Sequence, residues 1–212
     1  MKILAIDPAG KTGIAFWDTD KGRPVTYPSD VKSTMKPELD ERTLSLFMTL
    51  RGTADYIIME HPFLGQYDPK DPKQSITGYN THIKIYHYWE QVIFSTYGRR
   101  FKLEKKFNIN YKTKCRGIYP ATWKSVIFKG ITISGGDKAK ARYAALRKWP
   151  ELPRDLTSDE YDACCLCLFQ WLLCRDLGIS DLSAAKQQLF EKMRQGGWIL
   201  STLEEHKGEK PS

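Results

Sequence analysis

The sequence predicts a single α/β domain, on three observations. Short apolar runs of strand length crowd the first 60 residues, helical patterns fill the chain beyond residue 120, and at least one strand–helix–strand crossover links the two regions. Residues 2–7 form an apolar run that ends in Asp7. After the turn residues Pro8-Ala9-Gly10-Lys11, Ile14 and Phe16 alternate with Ala15 and Trp17 as in a strand, and Val25 to Tyr27 adds a third short one. Residues 39–53 read as a helix with Leu39, Leu44, Phe47 and Leu50 along one face. Tyr56-Ile57-Ile58-Met59 is a buried-strand run that ends in Glu60, and Pro62, Gly65, Pro69 and Pro72 make 61–73 a loop.

Residues 75–97 predict a long helix that is apolar nearly all round. One stripe is Tyr79, Ile83, Tyr86, Ile93 and Tyr97, and another is Ile85, Trp89 and Val92. Two apolar faces need two covers: one is a sheet, the other either a helix of this chain or a partner subunit. Phe101 to Leu103 and Cys115 to Tyr119 have strand character and flank a basic loop at 104–114. Pro120 opens a short helix over Ala121 to Phe128, and Gly135-Gly136 precede another from Asp137 to Trp149. Thr157 and Glu160 have capping-box spacing at the head of a very apolar helix that runs to Asp176. Residues 183–195 predict a further amphipathic helix, and 204–212 a frayed tail.

Composition narrows the class. The chain has 212 residues, 41% hydrophobic and 27% charged, which is the balance of a soluble globular domain. No apolar run has the length of a membrane span, and Asp7 stands too early for a signal peptide. Of five cysteines, Cys164 and Cys167 form a CxxC, which suits half a zinc site or a redox pair. No second pair has ligand spacing, so they read as buried thiols of a core helix in a reducing, intracellular compartment.

The net charge of +8 is unevenly spread. Arg99 to Lys148 carries 15 Lys and Arg against only Glu104 and Asp137, a net +13, while the rest nets −5 with 18 basic and 23 acidic residues. A block of that kind points to a polyanionic partner, nucleic acid before an acidic membrane surface.

Carboxylates stand in costly places. Asp7 and Glu60 each end a buried strand, and if those strands are neighbours the two acids meet at one edge of the sheet. Asp159 and Asp162, three apart on a helix, share a face. Taken singly, each has a structural explanation: a strand-end turn, or an acidic residue in a helix's first turn. Four carboxylates converging would repel unless cations neutralised them, and oxygen ligands suit Mg²⁺ or Mn²⁺. Beside the basic block they fit a two-metal nuclease. Ala5-Ile6-Asp7-Pro8-Ala9-Gly10-Lys11-Thr12 also approaches a P-loop, but a P-loop must feed a helix, and a strand pattern follows here.

The residues resemble the RuvC-like Holliday junction resolvases of the RNase H-like superfold, over about residues 1–176. Ile6-Asp7-Pro8 with Thr12-Gly13 is similar to the family's opening strand and turn, and Ile57-Ile58-Met59-Glu60 to its second acidic strand. Ala121-Thr122-Trp123-Lys124 and Gly135-Gly136-Asp137-Lys138-Ala139-Lys140 are similar to its basic segment, and Asp159-Glu160-Tyr161-Asp162-Ala163 to its closing acidic pair. The resemblance implies a mixed central sheet flanked by helices, with residues 177–212 as an extension.

It implies Asp7, Glu60, Asp159 and Asp162 as metal-binding catalytic carboxylates, with two Mg²⁺ ions per site and Mn²⁺ as a substitute. Lys138 would act beside the scissile phosphate, and Lys124, Lys140 and Phe63 would bind DNA. Helix 75–97 would be the interface of a homodimer that nicks branched DNA, above all four-way junctions, in recombination and repair. Ala9 stands where the family has Gly, with Gly10 beside it for the turn, and the loop 104–114 is an insertion. Such divergence is expected of phage or organellar members, and the cytoplasm of a bacterium or of a phage-infected host is the expected location. Rival readings are a broader nuclease for flaps, forks or RNA–DNA hybrids, an actin-like ATPase, which the length disfavours, and a non-catalytic nucleic-acid-binding module.

Overall fold

The computed structural model describes residues 1–9, 11–30, 41–61, 80–89, 92–93 and 114–175. Its strands are β1 (Lys2–Asp7), β2 (Lys11–Asp18), β3 (Val25–Asp30), β4 (Tyr56–Glu60) and β5 (Lys114–Ile118). They form one sheet in the order β3-β2-β1-β4-β5. The first three are antiparallel neighbours, and β1, β4 and β5 run parallel. The helices are α1 (Glu41–Thr53), the helical residues 80–89 taken as α2, α3 (Pro120–Ile127), α4 (Gly136–Lys148) and α5 (Ser158–Arg175). This is the mixed sheet flanked by helices that the resemblance implies.

Side chains of a strand alternate between faces, and both faces of this sheet are covered. Ile3, Ala5, Ala15, Trp17 and Ile58 pack with residues of α3, α4 and α5. Leu4, Ile6, Ile14, Ile57 and Met59 pack with Phe47 of α1 and with Ile85, Tyr86 and Trp89 of α2. That double cover explains why β1 and β4 read as continuous apolar runs rather than as alternating ones. Helix α5 lies against β1 and β2 and buries ten of its 18 residues, including Cys164, Cys165 and Cys167. Burial pushes all three thiols up, and they sit in the core as free thiols.

Local signals set the element ends. Pro120 starts α3, where its missing N–H is not needed. The capping box forms as predicted. Glu160 Oε2 accepts from the Thr157 N–H and hydroxyl, each at 2.9 Å, and Thr157 Oγ1 accepts from the Glu160 N–H at 3.3 Å.

One expectation changes. Residues Thr12 and Gly13 lie within β2, not in a turn, and because a strand follows Pro8-Ala9 no phosphate-binding helix exists there. Of helix 75–97, the described residues bury Ile85, Tyr86, Trp89, Val92 and Ile93, drawn from both predicted stripes. His82, Lys84 and His87 are exposed, and Tyr79 and Tyr97 of the first stripe lie outside the described residues. Phe63, the strand 101–103, the helix 183–195 and the loop 104–114, apart from Lys114 at the start of β5, lie outside the described residues. Among those residues, no helix is long and apolar enough to cross a membrane.

Candidate active site

Strand parity and register bring the acids together. Ile6 pairs with Met59 across the parallel β1–β4 pair, so Asp7 and Glu60 end neighbouring strands at the same edge. Asp7 continues the row of Ile3 and Ala5, and Glu60 that of Ile58, which is the face covered by α5. Gly13, paired with Asp7 across the antiparallel neighbour, follows the parity of Ala15 and Trp17 on the same face. A Cβ there would run into the backbone of Asp159 and Glu160. The bare glycine lets the first turn of α5 settle onto β2 and carries Asp159 and Asp162 to Asp7.

One carboxylate oxygen each from Asp7, Asp159 and Asp162 lies within 4.8 Å of the other two. Together with Glu60 and Lys138 they line a cavity of about 390 Å³, closed by Pro8, Ala9, His82, Ile83 and Pro120. Asp7 is only 7% exposed. Burial holds its carboxyl well above the usual range, and the charges of Glu60, Asp162 and Asp159 add to the effect against Lys124. Burial likewise pushes Asp162 up to about 7, helped by Glu60 and Asp159 and opposed by Lys124 and Lys138. Oδ1 of Asp162 is buried and has no hydrogen-bond partner among the described residues. Mutually repelling carboxylates with an unsatisfied buried oxygen are a donor set that fits a hard divalent cation.

Glu60 stands apart from the three aspartates. Its Oε2 accepts a 2.5 Å hydrogen bond from Trp123 Nε1, the indole of a fully buried ring on α3. Burial raises the Glu60 carboxyl, while that bond and Lys124 act to lower it. Lys124 Nζ pairs with Asp137 at 3.3 Å. Its pKa is raised, because Glu60, Asp162 and Asp137 outweigh the opposing burial. Lys138 Nζ donates to Ser158 Oγ at 3.2 Å, and Ser158 Oγ donates to Asp159 Oδ1 at 3.0 Å, so α4 is tied to the head of α5.

Of the predicted site residues, Asp7, Glu60, Asp159, Asp162 and Lys138 share the cavity, and Lys124 flanks it through Asp137. Lys140 is half-buried on α4 and does not line it. Sequence reasoning missed His82 and Trp123. His82 sits on a helix whose orientation only packing reveals. Trp123 stood beside a predicted phosphate-binding lysine, where a lone indole in a short helix reads as core.

The fold and the cavity together define an α/β domain with a cation-ready acidic centre beside a basic surface. No family model matches the chain, and no curated protein matches it. Among solved structures it is similar to Thermus thermophilus RuvC in complex with a Holliday junction substrate. That match has 11% identity and a TM-score of 0.48, covering 83% of this chain and 96% of that one. A second Thermus thermophilus RuvC structure matches at 12% identity and a TM-score of 0.45 over the same shares.

Proposed function

We propose that the chain is a divalent-metal-dependent endonuclease that cuts branched DNA, with the four-way junction as its first substrate. The observation that carries this reading is the meeting of Asp7, Asp159 and Asp162 within 4.8 Å, in a cavity that also holds Glu60 and Lys138. The three aspartates would hold Mg²⁺ or Mn²⁺, with Glu60 as a fourth oxygen ligand. Bound there, the metal supplies a nucleophilic water and charge stabilisation for in-line displacement at phosphorus.

The chain's own groups frame that chemistry. Lys138, at the cavity wall, is placed to hold a non-bridging phosphate oxygen. Trp123 commits one oxygen of Glu60 and leaves the other as the free carboxylate oxygen for a ligand. Lys124 keeps the acidic cluster partly balanced, so that the carboxyls ionise when a cation arrives. Ile83 and Pro120 supply apolar walls of the same cavity. A homodimer would let two such sites nick two symmetric strands. Exposure of His82, Lys84 and His87 on α2 favours a second reading, a monomeric nuclease of flaps, forks or RNA–DNA hybrids.

The test is a gel assay on end-labelled four-way junction, Y-fork, linear duplex and RNA–DNA hybrid, in Mg²⁺ and in EDTA. Paired nicks on the junction that vanish in EDTA and in Asp7→Asn are the expected result. Cleavage that survives either change would overturn the metal centre. Cutting of the hybrid by a protein that scatters light as a monomer would select the second reading.

A further inference from the structure

A second depression, of about 510 Å³, lies on the outer side of α4. Its lining is Ala139, Arg142, Tyr143, Leu146 and Arg147, with Arg154 from the α4–α5 connection. The α4 positions recur every three or four residues, so they form one helix face. The opposite face, Ala141, Ala144 and Ala145, is buried in the core. Ala139 and Leu146 make an apolar floor. At 100° per residue, Arg142 and Arg147 stand about 140° apart around the axis and form its two rims.

The rims are built and not merely present. Arg142 Nη2 donates to the Arg154 carbonyl at 3.2 Å, and the guanidinium lies 5.9 Å from the Tyr161 ring centroid. Among the described residues no carboxylate pairs with Arg142, Arg147 or Arg154. Tyr143, a large ring, is left 44% exposed in their midst. Lys138, which lines the catalytic cavity, precedes Arg142 by one helical turn on the same row, about 6 Å along the axis. Positive charge therefore runs unbroken from the cavity wall into the groove.

Three uncompensated arginines around an exposed aromatic match the two parts of a nucleotide, its phosphate and its flat base. We propose that this groove carries the DNA strand as it leaves the catalytic cavity, with phosphates on the arginine rims and a base against Tyr143. The inference rests on the nuclease reading and gives it a strand path. Lys138 through Arg147 spans about 14 Å of helix, room for a few nucleotides beyond the cut.

The test measures binding of a fluorescein-labelled DNA strand by anisotropy, across salt concentrations, for wild type, Arg147→Ala/Arg154→Ala and Tyr143→Ala. Each lost phosphate contact should flatten the slope of log K against log salt by roughly 0.7 on a single strand, so the double variant should lose about 1.4. Tyr143→Ala should weaken binding by roughly tenfold with the slope unchanged, as loss of stacking does. On a substrate trimmed so that no strand extends past Lys138 toward Arg142, the variants and wild type should cleave alike. All three changes are on the surface, and unchanged melting temperatures establish that the fold persists. A wild type that cleaves, with variants of unaltered slope and affinity, overturns the groove and leaves the nuclease standing. Variants that bind as predicted, in a protein that cuts nothing with Mg²⁺, support the groove and overturn the nuclease.

Discussion

Gly13 of β2 carries the backbone of Asp159 directly on its α-carbon, and a built Cβ would lie 2.7 Å from the Glu160 nitrogen and closer still to the Asp159 carbonyl. The head of α5 is seated on the sheet at this one residue. The site's geometry depends on a missing methyl as much as on the acids themselves.

Gly13→Ala should therefore push α5 off β2. Overpacking of this kind costs about 1–3 kcal/mol, and urea unfolding should register it. Cleavage should fall by far more than stability, because Asp159 and Asp162 move away from Asp7. A variant as active as wild type would mean that the contact does not set the site.

The carboxyl shifts make the metal-free protein lose stability as pH rises from acid to neutral. Asp162 is raised to about 7 by burial first, then by Glu60 and Asp159, and Asp7 is raised too. A folded state that keeps a proton the unfolded chain has lost is destabilised as pH climbs from about 4 to about 7, and the loss levels off above that. In EDTA, Asp162→Asn should match wild type near pH 4 and be more stable at pH 8, by up to a few kcal/mol at about 1.4 per unit. Mg²⁺ should erase that difference by stabilising wild type. Thermal melts in both buffers decide it, and a gap that is constant with pH would sink the assignment.

Trp123→Phe removes the donor to Glu60 Oε2 while keeping a ring in the core. A hydrogen bond to a charged group is worth about 1.5–3 kcal/mol. Because that bond lowers the Glu60 pKa, its loss should move the acidic limb of the pH–rate profile to higher pH. An unmoved limb would show that Glu60 does not need to be ionised for turnover.

Thr157→Ala breaks the side-chain half of the capping box at a Glu160 that is only 4% exposed. The cost should be about 1 kcal/mol. Fraying of the turn that bears Asp159 should raise the Mg²⁺ concentration for half-maximal cleavage severalfold, with a smaller effect on kcat. The reverse pattern would place the cap's role in chemistry instead of metal binding.

Much of this was readable from residue order. Asp7 and Glu60 betrayed themselves by ending apolar strands, and period-two parity then put them on one face. Thr157 and Glu160 announced the start of α5 through local hydrogen bonding alone. What stayed hidden depends on contacts between distant segments. Nothing local distinguishes Gly13 as a seat for a helix more than a hundred residues later. Both stripes of helix 75–97 are apolar, and only packing against the sheet shows Ile85, Tyr86 and Trp89 buried while His82 is left exposed beside the cavity.

Asp7 belongs to the first strand and Asp162 to the last described helix, and that separation has a consequence during synthesis. A chain emerging from the ribosome exposes Asp7 and then Glu60 long before α5 follows. Until it does, the face of Ile3, Ala5, Ala15, Trp17 and Ile58 lacks its α5 cover, and exposed apolar surface of that kind is a target for chaperones. Release products that end before Ser158 have neither the covering helix nor half of the acids. The acidic cluster and the finished core therefore arrive together, with α5.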